Sequence, residues 1–126
     1  MPTLKEIMTG DVLTTDRTAT VPDVASRMLR SRVGSAVVME GSRVSGIVTE
    51  RDVLRAAASG KDLSSARIVD WMTSDPVTVD GAMEADQALE LMMTNGFRHL
   101  PVVEGHSLVG IVSLRDVMRT RVRKPS

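Results

Sequence analysis

Four residues in this chain combine type and spacing in a way that can do chemistry: Thr49 with Asp52, and Ser113 with Asp116. In each pair a hydroxyl precedes a carboxylate by three positions, inside the nearly identical phrases "GIVTERDVLR" and "GIVSLRDVMR". Two chemistries fit. In the first, the Ser or Thr caps a helix by accepting a backbone N–H bond, and the acid three places on reaches back to the cap or complements the helix dipole. In the second, the same carboxylate, set beside the N–H groups of a helix start, accepts both hydroxyls of a ribose, at a helix end that also favours a nearby anion. The residue types leave both readings open. Arg51 and Arg115 stand one place before the aspartates and extend far enough to meet a phosphate, although a guanidinium in a first helical turn is ordinarily solvated.

Other chemistries lack their residues. There is no cysteine, which removes disulfides, thiolate metal sites and thiol nucleophiles and fits a reducing compartment. The two histidines, His99 and His106, have no companion ligands from which to build a zinc site. No nucleophile–base arrangement, paired catalytic carboxylates or Walker-type loop is present, so catalysis is not expected. Formal net charge is 0, with 42% hydrophobic and 25% charged residues, the balance of a folded globular chain with no global attraction for nucleic acid or an anionic membrane. The basic stretches, "RTRVRKPS" at the end and Arg27, Arg30 and Arg32, read as solvated helix ends before they read as nucleic-acid contacts. The first ten residues carry no cleavable leader pattern and no segment approaches the ~20 apolar residues of a membrane span, so a cytoplasmic location without membrane contact is expected.

The elements that must position these residues are duplicated. Shifting the chain by 64 positions aligns residues 7–55 with 71–119 without a gap, and 16 of the 49 pairs are identical. Residues 1–60 thus form a first repeat and 61–126 a second, joined near "AAASGKDLSSAR". Two copies are too few for a solenoid and should bury their apolar faces against each other as a pseudo-symmetric pair. Each copy alternates between strand and helix periods. "VLTT" and "PVTV" read as short strands; Val21, Val24, Met28 and Leu29, and in the second copy Ala85, Ala88, Leu89, Met92 and Met93, line a helix face. A hairpin of two strands follows, and then the helix that opens at the repeated phrase. The fold class is α/β (α+β): two units of strand, helix, strand, strand, helix, each with a right-handed crossover and a small mixed sheet, packed through their sheets. The nine methionines, among them Met28, Met92, Met93 and Met118, suit an irregular core or a dimer seam.

With these elements in register, the chain resembles the CBS domain family, in the tandem arrangement called a Bateman module. The resemblance covers about residues 4–121. It rests on the pattern of a Gly, two aliphatics, a Ser or Thr, two variable residues and an Asp followed by aliphatics: Gly46, Ile47, Val48, Thr49, Asp52, Val53, Leu54, and again Gly110, Ile111, Val112, Ser113, Asp116, Val117, Met118. The openings "MTGD" and "MTSD" and the strand "HLPVVE" match it too.

The resemblance implies a regulatory module with an adenosine-type ligand in the cleft between repeats. Asp52 and Asp116 would hold the ribose, assisted by Thr49 and Ser113. Arg98 and His99 would meet phosphates, where the first repeat has only Gly34 and Ser35, and Arg51 and Arg115 rank behind them. Adenine would lie against Ile111, Pro76 and Leu100 in one pocket and Ile47, Val12 and Ala36 in the other, with backbone near Val77 and Leu13 reading its edge. With one Trp, one Phe and no Tyr, aliphatic clamping of a base is expected rather than ring stacking. The ligands so implied are AMP, ADP or ATP, ahead of S-adenosylmethionine or NAD(H), with no catalytic cofactor and no metal. The implied partners are a second copy, in a disc-like homodimer, and a protein regulated in trans. The rival reading is a structural or interaction module in which the aspartates are only helix caps.

Overall fold

A computed structural model describes residues 2–122. In chain order its elements are α1 (Leu4–Ile7), β1 (Thr14–Asp16), α2 (Val21–Ser31), β2 (Ser35–Glu40), β3 (Arg43–Thr49), α3 (Glu50–Ala58), β4 (Thr73–Ser74), β5 (Val79–Asp80), α4 (Ala85–Asn95), β6 (His99–Glu104), β7 (Ser107–Ser113) and α5 (Leu114–Val122), with short 3-10 turns at Leu63–Ser65 and Ile68–Asp70. The predicted order of strand, helix, hairpin and helix is present twice. The basic tail residues 123–126 lie outside the described residues.

The long helices begin and end on local signals. Thr20 caps α2 by accepting the Asp23 N–H at 3.3 Å, and Pro22 stands in the first turn, where a missing N–H costs nothing. Gly96 closes α4 in the left-handed region at φ 78. Its counterpart Arg32 closes α2 at φ 57, a backbone shape that a side chain makes less favourable.

The chain divides into two compact units that do not follow the sequence repeats: Leu13–Pro76 forms one, and Met1–Val12 with Val77–Ser126 forms the other. In the Leu13–Pro76 unit the sheet order is β1-β2-β3-β4. Strand β1 runs parallel to β2, β3 antiparallel to β2, and β4 joins antiparallel through Gly46 with Ser74 and Ile47 with Thr73. In the other unit β5 is parallel to β6 and β7 antiparallel to it. There Thr9 takes the edge place that β4 holds in its counterpart, exchanging two backbone bonds with Ile111 at 2.9 Å each. The "MT" opening of each repeat therefore pairs with the hairpin of the other repeat.

This exchange explains the glycine in the repeated phrase. A Cβ on Gly46 would run into the Met72 sulfur and stand 3.0 Å from the Thr73 carbonyl; one on Gly110 would meet the Met8 sulfur and the Thr9 carbonyl at 3.0 Å. Only glycine lets the incoming segment approach so closely.

Each unit has its own core, built from equivalent positions. In Leu13–Pro76 it joins Val21, Val24 and Met28 of α2 to Ala36, Val38, Val48, Ala56 and Ile68. In the other unit Ala85, Ala88 and Met92 of α4 meet Leu4, Val79, Leu100, Val102, Val112 and Val117. Leu29 and Met93, expected on the buried helix faces, are instead 81% and 71% exposed. Each follows the last buried methionine by one residue, a rotation of about 100° that carries it off the apolar stripe.

Candidate functional site

Both repeated phrases form a strand-to-helix junction, β3 into α3 and β7 into α5. At the first, Asp52 is buried. Its Oδ2 accepts the Thr49 N–H at 2.9 Å and the Thr49 hydroxyl at 3.2 Å, and its Oδ1 accepts Arg55 Nη1 at 3.0 Å. Arg55 in turn lies over the Trp71 ring, 5.5 Å from its centre, with Lys61 over the same ring at 5.9 Å.

At the second junction the Asp116 Oδ2 accepts the Ser113 N–H at 2.8 Å, and the Ser113 hydroxyl accepts the Asp116 N–H at 3.1 Å. Asp116 Oδ1 meets Arg119 at 3.8 Å, an ion pair beyond hydrogen-bonding distance. Asp116 also lines an open groove of about 490 Å³, with Glu6, Ile7, Arg119 and Thr120. The Thr3 N–H, and next the Thr3 hydroxyl, donate to the Glu6 carboxylate and hold its pKa below the ordinary carboxylate range.

The other predicted site residues divide by unit. Arg98 is exposed immediately before β6, and its carbonyl accepts the Leu114 N–H at 2.8 Å, which ties it to the start of α5. His99 pairs in register with Ser113. Arg98 and His99 are thus brought to the Ser113–Asp116 junction, while Gly34 and Ser35 hold the same places beside Glu50 and Thr49. Arg51 and Arg115 are exposed in the first turns of α3 and α5.

The apolar set is regrouped. Ala36 pairs with Val48 and Leu100 with Val112, all four in the helix-covered cores. Ile47 pairs with Val37 and Ile111 with Pro101, so by strand alternation they face the opposite side of their sheets. The side chains of Ala36 and Ile47, or of Leu100 and Ile111, therefore do not share a surface. Val12 belongs to the unit of Ile111, and Pro76 to that of Ile47, because the openings are exchanged between repeats. The Leu13 carbonyl accepts the Val37 N–H at 2.9 Å, and Val77 is exposed.

Sequence reasoning passed over Arg55 and Arg119, although an arginine three places after each aspartate is repeated in "DVLR" and "DVMR". It also passed over Glu6, Ile7 and Trp71, whose place beside the junctions depends on the exchange of openings. Among the described residues no group of three His, Cys, Asp or Glu could hold a metal ion, and no helix is long and apolar enough to cross a membrane.

Comparison with known proteins places this geometry. The chain is 34% identical over 118 residues to the CBS domain-containing protein YhcV of Bacillus subtilis, spanning 93% of this chain and 84% of that protein. The CBS domain pair of protein MJ0100, solved in complex with 5-methylthioadenosine and S-adenosyl-L-methionine, superposes with a TM-score of 0.91 at 20% identity over 99% of both chains. CBSX2, solved in complex with AMP, superposes with a TM-score of 0.85 at 23% identity over all of both chains. The pattern of the CBS domain itself matches residues 4–59 and 68–123. With two repeats, two junctions and two matched stretches in register, the chain belongs to the CBS domain family and carries two CBS domains in tandem.

Proposed function

We propose that the chain is a cytoplasmic, non-catalytic regulatory module that binds an adenosine-containing nucleotide at its strand-to-helix junctions and signals in trans. The observation that carries this reading is the second junction, where Asp116 borders an open groove and its Oδ1 is only loosely paired. A ribose hydroxyl can donate to that oxygen. Arg98, held to the junction by its carbonyl, His99 and Arg115 supply the side chains for phosphate there, and Arg51 is the candidate at the Asp52 junction. Ile111 and Val12 in one unit, and Ile47 and Pro76 in the other, supply the apolar flank for a base. Two proteins of this fold are held with AMP and with methylthioadenosine and S-adenosylmethionine, so adenosine compounds are the first chemistry to test.

A homodimer fits the exposed apolar residues at equivalent helix positions, Leu29 with Met93 and Leu54 with Met118. Signalling requires that nucleotide bind one arrangement of the chain better than another. The ligand-free interaction module is the second reading, favoured by the fact that both aspartates already serve their own helix caps.

Thermal denaturation with AMP, ADP, ATP, S-adenosylmethionine and NADH separates the two. A nucleotide at about a hundred times its Kd stabilises the fold by roughly 2.7 kcal/mol, several degrees in Tm. Asp116→Ala should remove most of that gain while the chain stays folded. No gain with any of the five supports the interaction module.

A further inference from the structure

We propose that Trp71 and Arg55 form a latch that shuts the Asp52 junction, so that nucleotide enters the Asp116 junction first; this rests on the binding reading above. The groove at Asp116 is lined by Glu6, Ile7, Asp116, Arg119 and Thr120. Shifted by one repeat, those positions are Asp70, Trp71, Asp52, Arg55 and Ala56. The aspartate and the arginine are common to both junctions; Glu6, Ile7 and Thr120 give way to Asp70, Trp71 and Ala56.

Where the second repeat's junction has Ile7, the first has an indole whose face carries Arg55 at 5.5 Å and Lys61 at 5.9 Å. An aliphatic side chain has no quadrupole to hold a cation, so Arg119 stands off at 3.8 Å, whereas Arg55 closes to 3.0 Å and donates to Asp52 Oδ1. Both oxygens of Asp52 are then engaged, Oδ2 by Thr49 and Oδ1 by Arg55. A sugar diol needs at least one of them. The internal guanidinium occupies the place of the ligand hydroxyl, and the site opens only when Arg55 leaves the carboxylate. Both contacts of Arg55 are at an exposed guanidinium, which limits the preference to roughly tenfold.

Calorimetric titration of the full chain with AMP tests this. In an Asp116→Ala background the remaining Asp52 junction should bind AMP roughly tenfold more weakly than the Asp116 junction does in Asp52→Ala. Arg55→Gln, a change at an exposed side chain, should recover that factor, and so should Trp71→Ile. Ile7→Trp should weaken the Asp116 junction by a similar factor. Trp71 is the single tryptophan, so its emission should shift when AMP fills the Asp52 junction and stay constant when AMP fills only the Asp116 junction. Equal affinities at the two junctions, or no tightening from Arg55→Gln and Trp71→Ile, overturn the latch while leaving nucleotide binding intact. No heat from AMP, ATP or S-adenosylmethionine with any of these proteins overturns the binding reading and the latch together.

Discussion

The Asp52 and Asp116 junctions are written in one repeated phrase and reach different electrostatic ends. Both use Oδ2 to hold the N–H of the residue that starts the helix. They part at Oδ1. The Thr49 and Ser113 side chains both face the backbone N–H of their aspartates, but Arg55 closes on Asp52 while Arg119 stays back from Asp116. Duplication preserved the helix cap and left the outer oxygen open to divergence. That oxygen is settled by Trp71 or Ile7, residues from the openings of the repeats and not from the phrase itself.

If the two units share one framework, the largest losses of stability should fall equally on both. Leu4 and Ile68 are equivalent and fully buried, each in the core built on the other repeat's hairpin. Leu4→Ala and Ile68→Ala should each cost about 2–5 kcal/mol in chemical denaturation. A near-neutral Leu4→Ala would mean that the amino-terminal segment does not belong to the second repeat's core. Next come the close approaches: Gly46→Val and Gly110→Val should each destabilise by about 1–3 kcal/mol, because a methionine side chain can shift but the Thr73 and Thr9 carbonyls at 3.0 Å cannot. Similar losses at both positions keep the framework symmetric; a large difference breaks it.

The junctions themselves should differ by less. Each aspartate closes a helix cap worth about 1 kcal/mol. Asp52→Ala should cost more than Asp116→Ala, because it also strands Arg55 above Trp71 and removes a more buried carboxylate; parallel urea titrations measure the difference. Equal costs would say that Arg55 adds nothing to the first junction.

The smallest effect depends on pH and touches only the groove side. The folded-state pKa of Glu6 lies below its ordinary 4.5, first through the Thr3 N–H and then its hydroxyl. Its contribution to the first turn is therefore complete above the ordinary value and is lost as pH falls through the lowered one. The Thr3 amide resonance should report this transition, and Glu6→Gln should remove it.

Much of the frame was legible in the chain. The 64-residue offset, the helix periods of α2 and α4 and the glycine-led phrases lead to two units of one plan, since apolar spacing and caps are local properties. The phrase also marked Thr49, Asp52, Ser113 and Asp116 as the positions to watch. Leu29 and Met93 read as core because hydrophobicity alone cannot say where an apolar stripe ends. Ala36 and Leu100 read as pocket walls because strand alternation names two faces without saying which one the helices cover.

The sequence by itself determined the duplication, the helix caps and the presence of a carboxylate at each strand-to-helix turn, because these depend on residues no more than a few places apart. Tertiary structure alone decided that each repeat's opening would pair with the other's hairpin, through Thr9 with Ile111 and Thr73 with Ile47. Those contacts join residues far apart in the chain, and they bring Trp71 to Asp52 and Ile7 to Asp116. The difference between a closed and an open carboxylate is therefore a property of the folded chain.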